Sequence, residues 1–215
     1  MPLETPFDPL AESYDSWYDS EIGSKIFELE LRTLRKIRFP GPSLEIGVGT
    51  GRFAEKLGIE VGVDVSKRML RIARIRGIEV ILADAHNLPF REKSFKTSYF
   101  ITSLCFLNAE RALREASRVS ENLVLGFIPR ESPLGKIYAE KGKKGHPIYS
   151  HARFLSAEEV KELLRKSGFR IIEAFSTLFF SSDSDFEDEV REGIHPSASF
   201  IVIFSSLQKS SSRAL

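Results

Sequence analysis

The spacing of apolar residues changes along the chain, and each change predicts an element. Ile22, Ile26, Leu29, Leu34 and Ile37 recur at near-helical intervals behind an aromatic-rich stretch from Phe7 to Trp17. Residues 1–40 therefore read as an N-terminal helical extension, ended by Pro40-Gly41-Pro42. The apolar run Leu44 to Gly47 predicts a first strand, and Phe53, Ala54 and Leu57 lie on one face of the helix after it. Val61-Gly62-Val63-Asp64 predicts a second strand, followed by a helix that Ser66 can cap and that carries Met69, Leu70, Ile72, Ala73 and Ile75 before Gly77. Further strands are expected over Glu79–Ala83, Lys96–Thr102 and Leu123–Ile128, with a helix over Glu110–Val119. Strands alternating with helices through short links predict an α/β, doubly wound, mostly parallel sheet. Right-handed crossovers place the loops after the strands along one edge.

Beyond residue 128 the period is lost. Pro133, Gly135, Gly142, Gly145 and Pro147 interrupt residues 129–155, which read as a loop insert. Ser156-Ala157-Glu158-Glu159 has the form of a helix start, Val160, Leu163 and Leu164 continue it, and Gly168 closes it. Phe169–Phe180 and Ser199–Ser206 predict two more strands, and the acidic run Asp183 to Glu189 between them reads as a solvated connection. We expect one domain over 1–209, with a cofactor-binding core at 43–128, a C-terminal helix and strands at 156–207, and a disordered tail at 210–215.

Composition narrows the function classes. With 42% hydrophobic and 28% charged residues, the chain has an ordinary globular make-up. A net charge of +1 gives no global reason to expect nucleic acid or a membrane surface as partner. Lys67, Arg68, Arg71, Arg74 and Arg76 read as the solvated side of their helix. No apolar run reaches the roughly 18 residues of a membrane span, and Met1-Pro2-Leu3-Glu4 does not open a secretory signal, so a cytoplasmic location is expected. The one cysteine, Cys105, excludes an internal disulfide and a multi-cysteine metal site, and no metal is expected. Gln208 is the only glutamine and Asn87, Asn108 and Asn122 the only asparagines, a composition suited to heat.

The candidate chemistry sits where the first strand ends. Three glycines at alternate positions, Gly47, Gly49 and Gly51, mark a turn that needs positive φ or unobstructed amides beside a ligand. Three carboxylates share that edge: Glu45 in the first strand, Asp64 ending the second, Asp84 following the third. A carboxylate at Asp64 can accept from both hydroxyls of a ribose. A dinucleotide fingerprint would require its third glycine where this chain has Arg52, which argues against an NAD-dependent oxidoreductase. The tighter turn suits a nucleoside with an amino-acid tail.

Glu45-x-Gly47-x-Gly49-x-Gly51, Asp64 nineteen positions later and Ala83-Asp84-Ala85-His86-Asn87-Leu88-Pro89-Phe90 resemble the successive motifs of class I S-adenosylmethionine-dependent methyltransferases. The resemblance spans roughly residues 10 to 205 and implies a Rossmann-like seven-stranded sheet with an antiparallel last strand. It also implies that the glycine turn holds the methionine part, Asp64 the ribose, Val65 and Met69 the flanks of the adenine, and Asp84 with Ala85 its edge. Tyr14-Asp15-x-Trp17 resembles the family's N-terminal helix that folds over the cofactor. Phe95-Lys96 and Ser120-Glu121-Asn122 depart from the family's usual fourth- and fifth-strand motifs, and there Thr102 or Ser103 is the expected contact.

Methyl transfer from a sulfonium needs alignment and exclusion of water more than a protein nucleophile. Where the acceptor must lose a proton, Tyr14, Asp15, His146, Tyr149 and His151 are the candidate bases, with His86 and His195 behind them. Thr102-Ser103-Leu104-Cys105-Phe106 resembles neither the motif of adenine amino-methyltransferases nor that of the cysteine-dependent pyrimidine enzymes. A small-molecule acceptor is therefore expected, in a pocket drawing on Phe154, Phe175, Phe179 and Phe180. The alternative is a non-catalytic S-adenosylmethionine-binding or assembly module.

Overall fold

In the computed structural model, residues 5–37, 41–182 and 185–208 are described. The tail at 210–215, Pro40 and Asp183 lie outside them. A short 3-10 turn, Asp8–Leu10, leads into α1 (Ala11–Trp17) and α2 (Glu21–Leu34), so the N-terminal extension is two helices bent at Tyr18–Ser20. Ser20 caps α2 by accepting from the Gly23 N–H at 3.1 Å.

The core then runs β1 (Ser43–Ile46), α3 (Arg52–Leu57), β2 (Val61–Asp64), α4 (Lys67–Ile75), β3 (Glu79–Leu82), β4 (Phe95–Ile101), α5 (Ala109–Val119) and β5 (Ser120–Phe127). All four residues of β1 are buried, Ser43 and Glu45 as well as Leu44 and Ile46, because a parallel strand in the middle of the sheet is covered on both faces. On α5 the positions Ala112, Leu113, Ala116 and Val119 are fully buried, the inward stripe their spacing predicts.

The segment read as a loop insert holds a helix, α6 (Pro133–Lys143), and a 3-10 turn at Tyr149–His151. Pro133 occupies the first helical turn, where proline is tolerated, behind the capping Ser132. Gly135 and Gly142 are places of close approach. A Cβ would stand 2.0 Å from the Pro129 carbonyl oxygen in the first case and 2.5 Å from that of Tyr149 in the second.

Next come α7 (Ala157–Lys166), β6 (Phe169–Thr177), β7 (Phe180–Ser182), β8 (Asp185–Phe186), β9 (Arg191–Glu192) and β10 (Phe200–Leu207). The helix start expected at Ser156 is present and takes the form of a capping box, with Ser156 and Glu159 exchanging hydrogen bonds of 2.7 and 3.1 Å. The long strand expected over Phe169–Phe180 breaks at Leu178, whose φ of 58° cannot continue a strand. The acidic run is not merely a solvated connection. Phe186 is buried, Asp185 pairs with Lys25, and Asp188 pairs with Arg32 at 2.6 Å, so the β7–β8 hairpin is fastened to α2.

Among the described residues the main sheet has eight strands, ordered β3-β2-β1-β4-β5-β10-β6-β9. The first five are parallel, and β10 enters antiparallel between β5 and β6. This is the expected Rossmann-like arrangement with one strand added: β9 pairs two residues of the returning connection to the edge of β6. One core cluster joins the sheet to α5 and α7, the other to α2, α3 and α6. The chain order reverses at β1 and β4, which puts the crevice beyond their carboxyl ends.

Candidate active site

That crevice is walled by the loops after β1 to β4 and roofed by the N-terminal segment. The turn after β1 has positive φ at Gly47 (76°), Gly49 (54°) and Gly51 (79°). The N–H groups of Gly47 and Val48 both donate to the Val63 carbonyl, at 2.9 and 3.0 Å, tying the turn to β2. A Cβ on Gly47 would come within 2.6 Å of Ser103 Cβ, whereas at Gly49 the nearest atom would be Tyr14 Cε1 at 3.9 Å. The first glycine lets two loops touch, and the second leaves its backbone open beneath the tyrosine ring. Gly51 serves packing instead, since its Cβ would stand 3.0 Å from Ala73 Cβ on α4.

Asp64 accepts from the Gly49 N–H through Oδ2 and from the Ser66 N–H through Oδ1, each at 2.9 Å. Burial pushes its carboxyl up, and the opposing N–H bonds from Ser66, Gly49 and Val65 do not cancel that effect. Glu45 lies deeper in β1, 1% exposed, with Oε2 unpartnered among the described residues. Burial, then the charge of Asp64, pushes it well above the usual carboxylate range.

A cavity of about 140 Å³ follows this turn, lined by Gly47, Gly49, Asp64, Val65, Met69, Ala83, Ala85 and Thr102 among the expected or adjoining residues. Glu45, Gly51 and the Asp84 side chain lie outside its lining. Asp84 is turned to its neighbour instead, with Oδ1 2.7 Å from His86 Nδ1 and 2.9 Å from the His86 N–H. Thr102 holds a strained φ of 52°, fixed by its N–H bond of 2.8 Å to the Gly126 carbonyl. Ser103, the other expected contact after the fourth strand, also lines it, as do Phe7, Phe106, Leu107 and Ile148, which carry no motif that sequence could single out.

The roof is held by charge. Asp8 accepts from Ser66 Oγ at 2.9 Å and from the Arg68 N–H at 3.1 Å, so it joins Ser66 in capping α4. Asp15 bonds Arg52 and Arg76, each at 2.9 Å, and Arg76 also reaches the Thr50 carbonyl at 2.7 Å. Burial raises the Asp15 carboxyl, but the two guanidiniums outweigh it and hold the group below its usual range. Asp15 is thus a tether rather than the base its position in the sequence suggested, and Arg76 leaves the solvated helix face for it.

A second cavity, about 610 Å³, adjoins the first and shares Tyr14, Thr102, Phe106 and Ile148 with it. Phe154 and Phe180 line it, with Phe186 from the hairpin; Phe175 and Phe179 do not. Tyr14 reaches Tyr18 hydroxyl to hydroxyl at 3.1 Å, and burial pushes its phenol up to about 12, which makes it a hydrogen-bond donor at neutral pH. Tyr149 stacks on Tyr138 at 4.3 Å between centroids and is pushed strongly upward by burial, then by Tyr138. His146 lines the cavity with Nδ1 accepting from the Ile148 N–H at 3.2 Å, while His151 points to solvent beside Phe7. Cys105 also lines it, its thiol pushed up to about 12 by burial.

Glu30 is the residue that sequence reasoning missed. It lies on α2 among the cavity walls, 2% exposed, and burial alone raises it to about 8. The signal was present: Ile26, Glu30 and Leu34 are spaced by four, which places a carboxylate on the buried stripe.

A sheet of this order, with glycine turn and acid-ended second strand at its switch point, places the chain in the Rossmann-like class with a ligand crevice there. A methyltransferase-domain family model matches residues 44–122. A demethylmenaquinone methyltransferase of Thermotoga maritima is 30% identical over 213 residues, covering 81% of this chain and 90% of its own. An uncharacterized protein of Methanocaldococcus jannaschii is 44% identical over 192 residues, covering 87% and 92%. A crystal structure from T. maritima, described as an S-adenosylmethionine-dependent methyltransferase and possible histamine N-methyltransferase, superposes with a TM-score of 0.84 at 36% identity, covering 94% and 97%. The chain belongs to the class I S-adenosylmethionine-dependent methyltransferases, and S-adenosylmethionine is its cofactor. No helix among the described residues is long and apolar enough to cross a membrane, and no group of three or more metal-ligating side chains occurs among them.

Proposed function

We propose that the protein moves a methyl group from S-adenosylmethionine to a nitrogen, oxygen or carbon atom of a small molecule held in the 610 Å³ cavity. The shared lining carries this reading: Tyr14, Thr102, Phe106 and Ile148 border both cavities, so donor and acceptor would meet where the two spaces adjoin. Bound S-adenosylmethionine supplies an activated methyl carbon.

In this reading Gly47 and Gly49 receive the methionine part, and Asp64 offers the ribose the lone pairs that Gly49 and Ser66 leave free. Met69, buried, and Val65, half-open, flank the adenine. With Asp84 turned onto His86, the backbone at Ala85 remains for its edge. Phe7 and Tyr14 exclude water, and Thr102 orients the reacting end. The names of the two T. maritima proteins point to different acceptors, a quinone and an amine, so the lining of this chain's own cavity decides between them.

The test is transfer of labelled methyl from S-adenosylmethionine into a metabolite extract, with the labelled product then identified. Label in a small-molecule fraction is expected. S-adenosylmethionine bound but no label in any fraction would refute transfer and leave a binding module.

A further inference from the structure

We propose that the larger cavity takes a small organic amine, its ammonium group set against the Glu30 carboxylate and its apolar body against the surrounding tyrosine and tryptophan rings. This rests on the assignment of that cavity to the methyl acceptor.

Glu30 is nearly fully buried yet lines the cavity, and its carboxyl makes no hydrogen bond or ion pair with the described residues. An unpartnered buried carboxyl costs stability, and one that opens into a cavity offers a ligand the partner it lacks. The rest of the wall says which ligand. Tyr14, Trp17, Tyr18, Tyr138 and Tyr149 all line the same space. Aromatic faces attract cations through their quadrupoles, most strongly where water is excluded. A carboxyl among such rings becomes a cation receptor when it ionises, and an ammonium is the ligand group that favours its ionised form.

The cavity's own cation does not fill this role. Lys141 is exposed at the rim, its Nζ 5.8 Å from the Tyr138 ring centre. It shows a ring of this wall holding a cation, and it leaves Glu30 without a partner. At about 610 Å³ the space suits a small ligand, since such pockets run to about 300–1,000 Å³.

Burial holds the Glu30 carboxyl up at about 8, so an entering ammonium would draw it into its ionised form and release a proton. The titratable groups around it are Tyr14, Tyr18, Cys105, Tyr138, Tyr149, His146 and Lys141, and burial pushes the Cys105 thiol up to about 12. All four phenols are pushed up by burial and stay neutral at pH 7.

The experiment is calorimetry on the full chain saturated with S-adenosylhomocysteine, in buffers of different ionisation enthalpy. Primary amines graded in size from ethylamine to tryptamine are each compared with the alcohol of the same skeleton. At least one amine is expected to bind about tenfold or more tightly than its alcohol, with proton release. Glu30→Gln should abolish both the preference and the release while keeping the alcohol and S-adenosylhomocysteine affinities. If no amine in the series exceeds its alcohol, or if the preference survives in E30Q, the amine assignment is overturned. The comparison on the unaltered chain stands even if the variant folds poorly. Failure to bind S-adenosylhomocysteine would instead strike the methyltransferase reading itself.

Discussion

A carboxyl that stays protonated in the folded chain but ionises in the unfolded one makes stability fall as pH rises. Glu30 is such a group: its folded value is about 8 against an ordinary 4.5. Between those values the folded state holds a proton the unfolded state has lost, so stability declines by up to about 1.4 kcal/mol per pH unit and levels off above the folded value. Glu45, also buried and raised, adds to the slope in the same direction. Glu30→Gln has no proton to lose there, and should be more stable than the parent at pH 8 by a few kcal/mol, with the gap closing toward about pH 5. Urea titrations of both proteins across that range measure the difference, in which Glu45 cancels; a gap independent of pH would refute the assignment. Asp64 carries a separate prediction. Asp64→Asn keeps one acceptor oxygen for the loop but loses the charge, and should weaken S-adenosylhomocysteine binding by roughly 1–3 kcal/mol. Unchanged affinity in calorimetry would remove Asp64 from the ribose site.

At the scale of elements, the N-terminal helices decide whether the cofactor cleft is roofed. Asp8 caps α4 from outside it, and Asp15 binds α1 to arginines on α3 and just past α4. Because Asp15 is held below its usual range, this tether is fully present above the unfolded carboxylate value and is lost as pH falls through the lower folded one. Asp15→Ala should leave two guanidiniums facing each other, speed limited proteolysis within α1, and weaken S-adenosylhomocysteine binding severalfold while the sheet stays folded by circular dichroism. Proteolysis and affinity both matching the parent would mean the roof does not depend on the tether. The first five strands and their helices were legible because short strand-like stretches alternate with helical spacings through short links, and Gly47, Gly49 and Asp64 because a turn and an acid at the switch point leave fixed spacings. The helix α6 was not legible: Gly135 and Gly142 look like breakers, and only in three dimensions do they become the points where Pro129 and Tyr149 come too close for a side chain. For Asp15 and Glu30, whether a carboxylate is a tether, a base or a ligand depends on partners 37 or more residues away, as with Asp15 and Arg52, or on having no partner at all.

Across the whole molecule, ion pairs on the surface join neighbouring elements whose buried faces meet in the core. Lys25–Asp185 and Arg32–Asp188 join the hairpin to α2, Arg130–Glu159 joins the strand-five exit to α7, and Lys96–Glu121 crosses from β4 to β5. Along the helices, Arg118–Glu115, Lys144–Glu140 and Arg165–Glu162 lie three or four residues apart. Exposed pairs of this kind contribute little at room temperature, where ordering two long side chains offsets most of the attraction. Heating changes the balance, because the cost of stripping water from charged groups falls while hydrophobic stabilisation per unit area levels off. Together with one glutamine and three asparagines in 215 residues, the network fits a chain built for high temperature. The thermal midpoint should therefore lie above the mesophile range of about 45–65 °C. If the pairs are responsible, raising salt to about 1 M, which shortens the screening length to about 3 Å, should lower that midpoint. Differential scanning calorimetry at both salt concentrations separates the two causes: a high midpoint that salt leaves unmoved would assign the stability to the packed core, and a midpoint within the mesophile range would refute heat adaptation outright.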